Sequence, residues 1–140
     1  MELEVFEIFQ RFSQLKTKKE KVAFLQEQGN NVQAVKDVLR GAFDERLEFI
    51  LPAGKPPYTP NTIESTPSSL RQRHRDFGYF VKGGRSAGMR QFQIENMFIQ
   101  MLESIHAEDA LIVLDMVAKK SPVKGLTKKI VEEAFPKLLS

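Results

Sequence analysis

Val5, Ile8, Phe9, Phe12 and Leu15 recur at three- and four-residue steps, which aligns them on one apolar face of a helix. Thr17-Lys18-Lys19-Glu20 follows in the form of a capping box, in which Thr17 and Glu20 satisfy each other's free backbone donors. A second helix then buries Val22 and either Phe24 or Leu25. Gly29 is placed to stop it, because glycine suits the left-handed conformation beyond a helix end. Asn30 or Asn31 caps a third helix carrying Val32, Val35, Val38 and Leu39, with Gly41 as its stop. Short turns make these three helices neighbours.

From Ala42 the pattern loosens. Phe43, Leu47, Phe49, Ile50 and Leu51 lack helical spacing and fit a helical turn followed by extended chain. Pro52, Pro56, Pro57, Pro60 and Pro67 break regular structure, so 52–68 reads as one long surface loop, mobile or functional. Ser68 or Ser69 opens the next helix, which holds Leu70, Phe77, Phe80 and Val81 and ends at Gly83-Gly84. Ser86 is placed to cap a long helix whose strongly apolar part runs from Ile94 to Ile105; another spans Glu108 to Lys119. A basic turn leads to a last helix, capped by Thr127 and stopped by Pro136. Phe135 and Leu138 are expected in the core. No strand alternation persists and no repeat appears. The expected fold is all-α: one domain, 1–140, a compact bundle of about six or seven helices with a long Pro-rich loop in the middle.

Composition narrows the setting. Cysteine is absent, which excludes a disulfide framework and thiolate chemistry. Charged residues interrupt every apolar run well short of the ~18 residues a membrane span needs. The N-terminus has no signal-peptide layout, so a cytoplasmic protein with no membrane partner is expected. The formal charge is only +3, but it is polarised. Residues 1–15 carry a net −2, while 71–90 carry +5 and 119–137 carry +4.

The two basic segments hold the candidate binding residues. In the first, Arg71, Arg75, Lys82 and Arg85 surround Gly83-Gly84. Guanidinium groups suit bidentate phosphate contact, a glycine-rich turn exposes backbone donors, and Arg71 and Arg75 lie one helical turn apart. In the second, Lys120, Lys124 and Lys128 line one ridge, with Thr127 and Lys129 at a helix start whose free N–H groups face an anion. Lys16 to Lys21 reads mainly as a solvated turn. His106, without a second His or Cys nearby, reads as a helix-junction residue rather than a metal ligand. Glu132 and Glu133 fit an i,i+4 surface pattern with Lys128 and Lys129.

The run from Ile94 to Leu139, with its helix pair, its turn Ser121-Pro122-Val123-Lys124-Gly125 and its terminal Ala134-Phe135-Pro136-Lys137-Leu138-Leu139, resembles the end of the helical DNA-binding domain that precedes the catalytic core in tailed-phage ATP-dependent DNA ligases of the T-even type. It also looks like small stand-alone proteins of tailed phages. The chain departs from the ligase pattern at Lys137, where a Gly is favoured, and at Ala118-Lys119-Lys120, which replaces Arg-Asp-Leu. The resemblance implies a DNA-backbone role for Lys124, Thr127, Lys128 and Lys129.

Catalysis is not expected. Lys36-Asp37-Val38 is not the Lys-x-Asp-Gly of an adenylated ligase, and Gly83-Gly84-Arg85-Ser86-Ala87-Gly88 lacks the end of a Walker loop. No catalytic residues, metal or cofactor are assigned. The expected function is that of a non-catalytic phage accessory protein in host cytoplasm, binding duplex DNA through its phosphates, at nicks or distortions. The alternatives are a module that binds and redirects a host enzyme, or another host or phage protein, through the acidic first helix and the Pro-rich loop, and a minor virion component.

Overall fold

The computed structural model describes residues 3–51, 56–60 and 69–139. Among these, the regular elements are α1 (Val5–Ser13), α2 (Lys18–Asn31), α3 (Gln33–Phe43), α4 (Leu70–Arg73), a 3-10 segment (His74–Tyr79), α5 (Gln91–Ser104), α6 (Ala107–Val117) and α7 (Lys128–Ala134). The all-α expectation holds, with seven α-helices in the described residues. Most of the Pro-rich stretch, including Pro52, Gly54, Lys55, Pro67 and Ser68, lies outside them. Among the described residues, extended pairing is confined to an isolated bridge between Phe49 and Val81, where Ile50 N donates to Phe80 O at 2.8 Å and Lys82 N to Glu48 O at 2.7 Å.

The apolar stripe of α1 is buried as its spacing dictates: Val5, Ile8, Phe9 and Phe12 are all inaccessible to solvent. Leu15 is only half-buried. Of the expected capping box at α2 one arm forms: the Thr17 hydroxyl accepts from Glu20 N at 3.2 Å, and no return bond from Thr17 N to the Glu20 side chain is made among the described residues. In α5 the inward residues are Ile94, Phe98, Met101 and Leu102, with Phe80 set edge-on to Phe98 at 5.2 Å, while Phe92 faces out. His106 caps α6, its Nδ1 accepting from Glu108 N at 3.0 Å, and its ring stacks on Phe6.

Several boundaries differ from expectation, and each has a tertiary cause. Gly29 lies inside α2, where a Cβ would sit 2.4 Å from the Phe135 ring. Gly41 lies inside α3, where a Cβ would sit 2.5 Å from Met116 Sδ. Neither glycine ends a helix; each lets another element approach a helical backbone. The α2–α3 junction is the single residue Val32, so neither Asn30 nor Asn31 caps α3. The helix opening at Ser69 stops at Arg73 and tightens to 3-10, and Ser69 makes no side-chain cap. Ser86 is buried and caps nothing; α5 starts later, after Arg90. Phe135 and Leu138 are half-buried rather than central. Glu133 pairs with Lys18 of α2 at 2.6 Å and Lys128 with Glu45 at 3.5 Å, so cross-element partners replace the i,i+4 pattern on α7.

Candidate nucleic-acid interface

α3 joins the two basic segments. Its stripe of Val35, Val38, Leu39 and Ala42 is buried, which leaves Lys36, Asp37 and Arg40 towards solvent. Lys36 lies over the Phe135 ring, 5.2 Å from its centre, beside the chain end that carries Lys137. Asp37 bonds His74 Nδ1 on the 3-10 segment, and its other oxygen accepts from Gln33 Nε2 at 3.1 Å. Arg40 lines a cleft of about 580 Å³ together with Arg75 and Arg85. Leu47, Phe49, Phe77 and Val81 give that cleft an apolar floor. Lys36 and Arg40 were not singled out from the sequence, although their i,i+4 spacing opposite the apolar stripe was a usable signal.

The residues of the first basic segment separate. Arg71 donates through Nη1 to Leu3 O at 2.6 Å and ties α4 to the start of the chain. It does not line the cleft that Arg75 enters, because the change from α to 3-10 geometry rotates the two apart. Arg85 folds back over the segment: its guanidinium lies 4.4 Å from the Tyr79 ring centre and donates to Arg75 O. Gly78 makes room for it, since a Cβ there would meet Arg85 Nε at 3.0 Å. Lys82 is 72% exposed and loosely paired with Glu48 at 3.9 Å. Three backbone donors in and beside the Gly83-Gly84 turn are already engaged. Lys82 N is taken by Glu48 O, Gly84 N by Val81 O and Arg85 N by Gly78 O. This turn therefore presents side chains, not those three N–H groups, to any anion.

The second segment is a surface array on a firmly held turn. Ser121 Oγ faces the carbonyls of Val123 and Leu126 at 2.8 and 2.7 Å, and Gly125 adopts a positive φ of 88°. Lys21 from α2 comes close, its Nζ 3.1 Å from the position of a Cβ on Gly125. Thr127 caps α7 by accepting from Ile130 N at 3.3 Å, which uses one of the helix's free donors internally. Lys120, Lys124 and Lys129 are exposed, and Lys128 is only weakly engaged by Glu45.

Lys119 has a different task. α6 ends in a Schellman turn, with Lys119 N bonded to Met116 O and Lys120 N to Asp115 O, and Lys119 itself holds the left-handed position at φ 61°. Glycine is the usual residue there, but glycine has no ammonium. Lys119 Nζ donates to Gly41 O at 2.7 Å and Asp44 O at 2.9 Å, closing the C-terminus of α3, and lies over the Phe49 ring. Burial pushes its pKa down, against a smaller opposing pull from Asp44. Lys119→Met keeps the stem and removes the donors, and should cost about 1–3 kcal/mol in urea denaturation. An unchanged midpoint would show that the ammonium does not hold α3.

Among the described residues no group of three or more His, Cys, Asp or Glu is placed to hold a metal ion, and no helix is long and apolar enough to cross a membrane. Among proteins of curated function, none matches the chain. A family model does match, over residues 8–122, which takes in the later part of α1, α2 to α6 and the whole cleft and stops before Lys124. The chain belongs to DUF6433, a family of unknown function.

Proposed function

We propose that this protein is a non-catalytic DNA-binding module that grips duplex DNA through its phosphates, without sequence preference, as a phage accessory factor acting at nicks or distortions. The observation that carries the reading is the position of Arg40: α3 sets it beside Arg75 and Arg85, so that cations from separate parts of the chain share one cleft. The exposed Lys120, Lys124 and Lys129 extend the positive surface, and the resemblance of the last helices to ligase DNA-binding domains supports the same use. Arg71 does not line this cleft, and its Nη1 donates to Leu3 O.

Fluorescence anisotropy with nicked and intact duplexes at low and physiological salt tests this. Affinity should fall steeply with salt, because each neutralised phosphate releases condensed counterion. Replacing Lys124, Lys128 and Lys129 together by Gln should lower the slope of log K against log salt by about 3, at about 0.9 per phosphate contact. An unchanged slope would remove the C-terminal segment from the interface, and no binding at low salt would defeat the reading. A protein-binding role has one observation in its favour. Leu111 is 45% exposed on α6, at a shallow depression lined by Glu108 and Asp115. Salt-insensitive capture of one host protein, without DNA affinity, would establish it.

A further inference from the structure

The cleft between α3 and the 3-10 segment has a composition that a duplex backbone does not call for. Phosphates need cations, which Arg40, Arg75 and Arg85 supply at its walls. They do not need a floor of Leu47, Phe49 and Phe77. Half-buried Leu47 and Phe49, with the largely buried Phe77, beneath a cationic rim match a planar aromatic group linked to phosphate, which is a nucleotide whose base has left the stack. At about 580 Å³ the cleft falls within the roughly 300–1,000 Å³ of small-molecule sites. One wall adds a polar edge, where Asp37 holds His74 through Nδ1.

We propose that this cleft receives one unpaired nucleotide of the bound DNA, its base on the Leu47–Phe49–Phe77 floor and its flanking phosphates on Arg40, Arg75 and Arg85. This rests on the DNA-binding reading above and deepens it. Recognition of a distortion then comes from capturing a base that a distortion has already freed, which spares the protein the cost of unpairing it. An intact duplex keeps its bases stacked and meets only the rim.

The test compares an intact duplex with one of the same sequence carrying a short bulge of unpaired thymidines, by anisotropy at physiological salt. The wild-type chain should bind the bulged duplex about tenfold more tightly, the scale of one base stacked on an aromatic side chain. Leu47→Trp fills the floor, and should bring the affinity for the bulged duplex down to that for the intact one. Arg40→Gln with Arg75→Gln, both at exposed positions, is a second variant that spares the core and should lose most of the preference. Equal wild-type affinity for the two duplexes would overturn the cleft assignment and leave the DNA-binding reading standing. A preference that survives in both variants would place bulge recognition elsewhere. Failure to bind either duplex, with a phosphotyrosine peptide binding instead, would overturn both readings and give the cleft to a protein partner.

Discussion

The folded chain should lose stability as pH rises from about 4 to about 7, on account of Asp109. This residue, in the first turn of α6, is completely buried, and its Oδ1 accepts from Phe6 N at 2.8 Å, which ties the start of α1 to the start of α6. Its Oδ2 is buried without a hydrogen-bond partner among the described residues. Burial pushes its pKa up to about 7; the Phe6 bond opposes this, and the carboxylates of Glu4, Glu7 and Glu108 reinforce it. Between the ordinary value of 3.8 and about 7 the unfolded chain has released this proton and the folded chain retains it. Folding therefore takes up a proton in that window, and stability declines as pH increases. Above 7 both states are ionised and the dependence ends. At about 1.4 kcal/mol per pH unit, the rise from 3.8 to about 7 is on the order of 4 kcal/mol. Asp115, also raised by burial, acts in the same direction. Asp44 acts oppositely and in a lower range: hydrogen bonds from Arg46 hold its pKa below 3.8, so its contribution is lost only under stronger acid. Urea denaturation across pH should show the decline in the wild type. Asp109→Asn, neutral throughout and still able to accept from Phe6 N, should flatten it and be the more stable form at pH 8. Parallel pH profiles for the two proteins would mean that Asp109 is ionised and accommodated in the fold.

The parts of this fold that were legible in the sequence are those set by local repetition. The stripe from Val5 to Phe12, the cap at Thr17 and the cap at Thr127 depend on residues within a turn or two of one another, and each is where the pattern puts it. The residues that misled carry tertiary roles. Gly29 and Gly41 have the look of helix stops, but each lies where a helix is approached by Phe135 or Met116. Lys119 belongs to a basic run, yet its ammonium closes a helix that ended far earlier in the chain. The cleft was half legible. Arg75 and Arg85 stand in a segment of net +5, whereas Arg40 joins them only because α3 packs against the 3-10 segment through Asp37 and His74. Charge counting along a chain finds segments; it cannot find the helix that bridges them.

The glycine at position 41 permits a test of how tightly α6 is packed against α3. In a helix stop the residue holds a positive φ, and alanine is costly. Gly41 is instead an interior residue of α3 with ordinary helical backbone, so Gly41→Ala gains about 1 kcal/mol of helix propensity. Against that gain, the new Cβ would meet Met116 Sδ at 2.5 Å, Met116 Cγ at 2.6 Å and Phe49 Cζ at 3.2 Å. The thioether of methionine is flexible and can retreat, so alanine should come out close to neutral. Gly41→Leu leaves no such escape. Its branched end must displace Met116, which is fully buried, and push α6 from α3, pulling Lys119 away from the Gly41 and Asp44 carbonyls. Overpacking of this kind costs about 1–3 kcal/mol, and the loss of the Lys119 bonds takes the expected total to about 4 kcal/mol. Met116→Ala alone should also destabilise, by about 2–5 kcal/mol, through the cavity it opens. Combined with Gly41→Leu it vacates the space the leucine needs, so the double variant should be more stable than the sum of the single losses predicts, by at least about 1 kcal/mol. Strict additivity would show that Gly41 and Met116 do not compete for the same volume. An alanine variant that loses several kcal/mol would show that Met116 cannot retreat from the new Cβ.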